Sequence, residues 1–159
     1  MILEHYGPEA LVFDRSRTYE QRVHFKPRGF WVSVKGEDDW PEWAESESFG
    51  WPESFKHRYE VTVSETANIL TLGTVAAIRE FHEKYFLPAE FRYGNHIDWT
   101  RVAEDYDGII IAPYQWTIRT DEEMFWYYSW DVASGCIWNL DVIDIEWKEQ
   151  DWIERRDRA

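Results

Sequence analysis

The hydrophobic positions of this chain fall in short runs whose period shifts between two and about 3.6. Tyr59-Glu60-Val61-Thr62-Val63 alternates strictly, as a strand with one buried face does. Phe30-Trp31-Val32-Ser33-Val34 follows Lys26-Pro27-Arg28-Gly29, a turn that feeds a strand. Asn68 to Leu72 is a third short strand candidate. The period then lengthens. Val75, Ile78, Phe81 and Tyr85 share one helical face, Glu80 precedes Lys84 in the favourable i,i+4 order, and Pro88 sets the stop. A second helix begins at Asp98, an N-cap residue, with Trp99, Val102, Ala103 and Tyr106 on one face. Asp107-Gly108 leads into Ile109-Ile110-Ile111-Ala112, an apolar run ended by Pro113 that reads as a buried central strand. Beyond it strands are expected around Gln115 to Ile118, Met124 to Trp130, Cys136 to Asn139 and Val142 to Trp147. The end of the chain has little apolar periodicity beyond Trp152 and Ile153, and residues 146–159 are expected to fray.

Strands interleaved with two clear helices, and no repeat or flexible linker, predict one α+β domain spanning residues 1–159. Eleven Trp are far above ordinary usage, and such rings either fill a dense core or form a flat-ligand pocket. The single cysteine, Cys136, excludes an internal disulfide and a cysteine-based zinc site, and its apolar flanks predict a buried, inert thiol. No metal spacing links the five histidines. The N-terminus lacks a basic start and a long apolar run, and no window approaches a membrane span, so a cytoplasmic protein is expected.

The net charge is −14, from 31 acids against 17 Lys and Arg, so binding to nucleic acid by overall charge is not expected. The charges are segregated. Arg15, Arg17, Arg22, Lys26, Arg28 and Lys35 are opposed only by Glu20, whereas Glu37 to Glu53 contains seven acids and no Lys or Arg. Trp40, Trp43 and Trp51 are threaded through that acidic run and are expected to fold it back onto the domain. A run of this kind also suits a surface that engages a basic protein partner, through aromatic anchors inside a charged rim.

Phosphate-binding glycine loops, the dinucleotide-binding glycine fingerprint and the nucleophile elbow are all missing from the sequence. Three other segments stand in a suggestive order: Leu3-Glu4-His5-Tyr6, Lys26 to Ser33, and Trp130-Asp131-Val132-Ala133-Ser134-Gly135-Cys136-Ile137-Trp138-Asn139. Together with Val102 to Ile109 they resemble the motifs of ADP-ribosyltransferase-like domains, in particular the His-Tyr-Glu branch that includes the poly(ADP-ribose) polymerases. The resemblance implies a split β-sheet with two or three helices, NAD as substrate and a macromolecular acceptor. It also implies that His5, with its neighbour Tyr6, holds the adenosine ribose, and that Trp31 and Ser33 lie near the cofactor. Lys26 and Arg28 would face the pyrophosphate, and Trp40 or Trp43 would supply a stacking ring. The third segment departs from the family pattern, because Ser134 stands where the resemblance requires the catalytic Glu. Asp131, three residues earlier, is the nearest carboxylate and the expected substitute, with Glu122 or Glu123 as alternatives. A site that binds a nucleotide without turning it over is the remaining reading.

Overall fold

The computed structural model describes residues 1–36, 38–48, 53–88 and 96–149. Glu37 and Trp51, from the acidic run, and the tail from 150 onward lie outside them. The described residues form ten strands and four α-helices: β1 (Leu3–Gly7), β2 (Val23–His24), β3 (Phe30–Val34), α1 (Trp40–Ser46), β4 (His57–Val63), β5 (Ile69–Leu72), α2 (Val75–Tyr85), β6 (Phe86–Leu87), β7 (His96–Asp98), α3 (Trp99–Asp105), β8 (Gly108–Ile111), α4 (Phe125–Tyr128), β9 (Ser134–Ile137) and β10 (Ile143–Lys148). The fold is α+β, with a mixed seven-stranded sheet in the order β10-β4-β1-β3-β9-β8-β5 and a small antiparallel sheet in the order β2-β7-β6. Only β5 and β8 pair in parallel within the large sheet.

Both predicted helices form, and each is capped as its sequence dictates. Thr74 Oγ1 accepts from the Ala77 N–H at the start of α2, and Asp98 Oδ1 accepts from the Arg101 N–H at the start of α3. Helix α1 lies inside the acidic run. Asp39 caps the Glu42 N–H, while the Glu42 carboxylate accepts from the Asp38 N–H, a reciprocal arrangement close to a capping box.

Two expected strands are not strands. Trp116–Ile118 and Glu122–Met124 are 3₁₀ turns, and Phe125–Tyr128 is one turn of α-helix. Asp121 caps the second turn by accepting from the Glu123 N–H, a local bond that competes with extended pairing. In the helix that follows, Trp126 and Tyr127 are buried while Phe125 and Tyr128 are exposed, which is an i,i+3 pattern and not a period of two. The predicted frayed tail also starts too early, because β10 keeps its pairing with β4 as far as Lys148 opposite Arg58.

The large sheet curls. Strands β4 and β5 stand five strand-steps apart, roughly 24 Å if the sheet were flat. Yet only residues 64–68 connect them, and the Ala67 N–H folds back onto the Ser64 carbonyl. Accordingly Val61 and Val63 of β4 line the same apolar recess as Ile69 and Thr71 of β5. Leu3, Phe30, Val32, Ile110, Ile137 and Ile143 are buried in the core beneath that curl. Gly108 and Gly135 permit the close approach: a Cβ on Gly135 would meet the Ile109 carbonyl oxygen at 2.7 Å, and one on Gly108 would meet the Cys136 oxygen at 2.9 Å. On the other face of the sheet an aromatic chain runs from Trp31 through Trp130, Trp99 and Phe81, binding the helices to the strands.

Candidate functional site

Strand pairing builds the site. In β3 the pleat turns Trp31 and Ser33 to one face and Phe30 and Val32 to the other. Antiparallel pairing with β9 sets Trp31 opposite Cys136 and Ser33 opposite Ser134, so two distant segments share that face. Helix α1 closes over its edge, where the Trp40 N–H donates to Ser33 Oγ at 3.0 Å and Trp40 and Trp43 pack against Tyr6, Ala44 and Phe55. The result is a cleft of about 460 Å³ lined by Lys26, Trp31, Trp40, Trp43, Trp130, Asp131, Val132 and Ser134.

The walls are chiefly indole faces. The Trp31 and Trp130 ring centroids are 5.0 Å apart, and Lys26 Nζ lies 5.3 Å from the Trp31 centroid in a cation–π contact. Burial lowers the Lys26 pKa from its usual range, against the opposing pull of Asp131 and of the Cys136 thiol. No described side chain forms a salt bridge with this ammonium within 4 Å. The Trp130 indole N–H is buried at the cleft wall and has no hydrogen-bond partner among the described residues. Such a donor is costly in a dry environment.

Asp131 sits at the tip of a tight turn with φ 56°, in the left-handed region, and the Val132 N–H donates across it to the Trp130 carbonyl. Its Oδ1 accepts from Arg119 at 3.1 Å, and its side chain is 33% exposed, which leaves it open to the cleft. Ser134 is buried, and its hydroxyl donates to the Val132 carbonyl at 3.1 Å. Burial raises the Cys136 thiol well above its usual pKa and keeps it unreactive.

Of the residues singled out in the sequence, Lys26, Trp31, Trp40, Trp43, Asp131 and Ser134 converge on this cleft. Ser33 lies beneath it as the anchor of α1. His5 does not join them. The β1–β3 register puts its side chain on the opposite face, where its ring meets that of Phe30 at 4.4 Å, tilted by 31°, while Nδ1–H donates to the Trp31 carbonyl at 2.8 Å. Burial lowers its pKa. Arg28 points to solvent, and its backbone N–H is held by Gln21. Glu122 and Glu123 are exposed ahead of α4 and do not line the cleft.

Tyr6 belongs to a cluster that sequence reasoning missed. Its hydroxyl donates to Glu4, a carboxylate buried to 2% exposure that also accepts from Arg58 at 2.9 Å and from Lys35 at 3.4 Å. Alternation along β1 would have placed Glu4 beside Tyr6 on one face, but the cations come from β4 and from the residue after β3, which only the pairing reveals.

Among the described residues no group of three or more His, Cys, Asp or Glu is placed to hold a metal ion, and no helix is long and apolar enough to cross a membrane. No protein-family model, curated protein or solved structure matches the chain.

Proposed function

We propose that the protein binds a nucleotide of the NAD or ADP-ribose type in the tryptophan-lined cleft. One observation carries the reading: three segments that resemble ADP-ribosyltransferase motifs or their expected stacking loop, around residues 26–33, 40–43 and 130–134, meet in a single cleft. Indole faces suit a nicotinamide or adenine ring by stacking. Lys26 supplies a positive charge for a phosphate. Binding an anion also relieves the cost of holding the Lys26 charge in a half-buried place.

A second reading, transfer of ADP-ribose to a macromolecular acceptor, is favoured by the position of Asp131, the carboxylate among the lining residues. In that reaction the ribose C1′–nitrogen bond breaks and its electron pair leaves with nicotinamide. A carboxylate stabilises the positive charge that develops on the ribose. The acceptor nucleophile then bonds to C1′ and gives up its proton. Ser134 has no charge to offer, and its hydroxyl is already committed to the Val132 carbonyl.

Thermal unfolding with and without NAD, with the same samples assayed for free nicotinamide, tests both readings. At about 100 times its dissociation constant a ligand adds roughly 2.7 kcal/mol, which raises Tm by roughly 5–10 °C. A rise that is lost in Trp40→Ala and Trp43→Ala supports binding. Nicotinamide release that is abolished in Asp131→Asn, which keeps a residue tolerant of positive φ, supports transfer. No shift at millimolar NAD or ADP-ribose overturns the nucleotide reading.

A further inference from the structure

Outside the cleft the surface carries a second aromatic feature. Trp116 is 50% exposed, Tyr128 45% and Phe125 36%, although each could have been buried in a core already rich in aromatic rings. They are contiguous. Phe125 and Tyr128 stack with their rings within 7° of parallel, and the Arg119 guanidinium lies 5.1 Å from the Tyr128 centroid and 5.2 Å from that of Trp116. The platform is rigid, because Trp116 Nε1 donates to Asp38 at 3.0 Å and Phe125 and Tyr128 are one turn apart on α4. A pre-ordered aromatic patch of this kind loses little entropy on binding and is the surface type that anchors protein partners.

The charges around it decide the partner. Asp38 accepts from the Trp116 indole N–H, Asp131 pairs with Arg119 where that guanidinium lies against the Trp116 and Tyr128 rings, and Glu122 and Glu123 are exposed three and two residues before Phe125. The arginines Arg79 and Arg119 are already paired, to Asp121 and Asp131. That rim, on a chain of net charge −14, repels a phosphate backbone and attracts cations. The chain's own Arg119 shows what the patch holds: a guanidinium between two aromatic faces with a carboxylate at its edge. We infer that the Trp116–Tyr128–Phe125 platform is a docking surface for an arginine-bearing segment of a partner protein, whose guanidinium groups stack on the exposed rings while the acidic rim pairs with neighbouring cations. This inference does not depend on what occupies the tryptophan-lined cleft.

Fluorescein-labelled nona-arginine and nona-lysine, titrated with the full chain at about 150 mM salt and followed by anisotropy, test it. Overall charge alone would bind both peptides, so the variants carry the argument. The Trp116→Ala/Tyr128→Ala double variant keeps every charge, and circular dichroism checks that it folds before the titration. It is expected to bind nona-arginine about tenfold more weakly, the loss of two cation–π contacts. Glu122→Gln/Glu123→Gln keeps the rings and should weaken binding chiefly at low salt. Preference of the wild type for arginine over lysine, removed by the double variant, supports the proposal. Equal binding by wild type and double variant would overturn it, leaving only the general field of an acidic protein. Binding of an oligothymidylate to the same rings in place of the peptides would overturn it in favour of base stacking.

Discussion

Glu4 shows how a single buried charge is made tolerable. A carboxylate at 2% exposure survives because Arg58, Lys35 and the Tyr6 hydroxyl surround it. Arg58 contributes twice, since it also donates to the Glu149 carbonyl beyond the end of β10. Arg58→Met keeps the apolar stem but leaves the carboxylate underpaired, and it should cost about 3 kcal/mol in urea denaturation. Arg58→Lys should recover only part, because a point charge cannot reach both acceptors. Gly135 is the opposite case, a residue needed for what it lacks. Gly135→Ala would press a methyl against the Ile109 carbonyl at 2.7 Å and Ile110 Cγ1 at 2.8 Å, with an expected loss of about 2 kcal/mol by the same assay. The glycine beside Ser134 is therefore accounted for by packing, independently of any chemistry in the cleft.

At the level of elements, α2 and α4 are joined by one polar bond inside the aromatic core. Trp126 Nε1 donates to His82 Nδ1 at 3.1 Å, and the imidazole stacks on Phe86 at 4.7 Å. That bond needs a lone pair at Nδ1, so protonation would set a donor against a donor. Burial already lowers the His82 pKa, partly offset by Glu83, Glu123 and Asp121 and reinforced by Arg79. His5 and His24 are lowered too, in both cases chiefly by burial. The unfolded chain, with histidines near pH 6.5, then binds protons that the native state refuses. Stability should be level above that pH and fall as pH drops from 6.5 toward 5, seen as a falling urea midpoint. His82→Gln, which retains an acceptor but does not titrate, should flatten the fall.

The same elements show what periodicity can reveal. Helices α2 and α3 were legible because each has an apolar stripe, a capping side chain and a polar far side. The segment from Gln115 to Trp130 was not. Its stretch from Met124 to Tyr128 has no strongly polar residue to mark a period, and the capping bond of Asp121 outweighs strand propensity. Helix α1 was hidden in a run read as charge, although Asp39-Trp40-Pro41-Glu42 carries an N-cap, an early proline and the reciprocal acid.

For the molecule as a whole, the candidate site is a product of sheet order. Lys26, Trp31 and Asp131 could be picked out as chemistry-bearing residues, and the pairing of β3 with β9 makes them neighbours. His5 lies on the face opposite the cleft, since side-chain direction reverses at every residue and a motif does not fix the parity. The opposing charges of the two N-terminal segments are likewise resolved by the fold, with the acidic helix α1 and Lys26 both at the cleft.

The sheet order also bears on how the chain comes off the ribosome. β1 and β3 precede β9 and β10 in the chain and lie in the interior of the large sheet, yet the partner that covers the outer edge of β3 is β9, and β4 waits for β10. Until β9 and β10 have emerged, a three-stranded β4-β1-β3 unit would have both edges open. Such an intermediate is a template for pairing with its own copies. Slower translation between β4 and β9 would prolong that exposure and should lower the soluble yield, measured as the soluble fraction on expression.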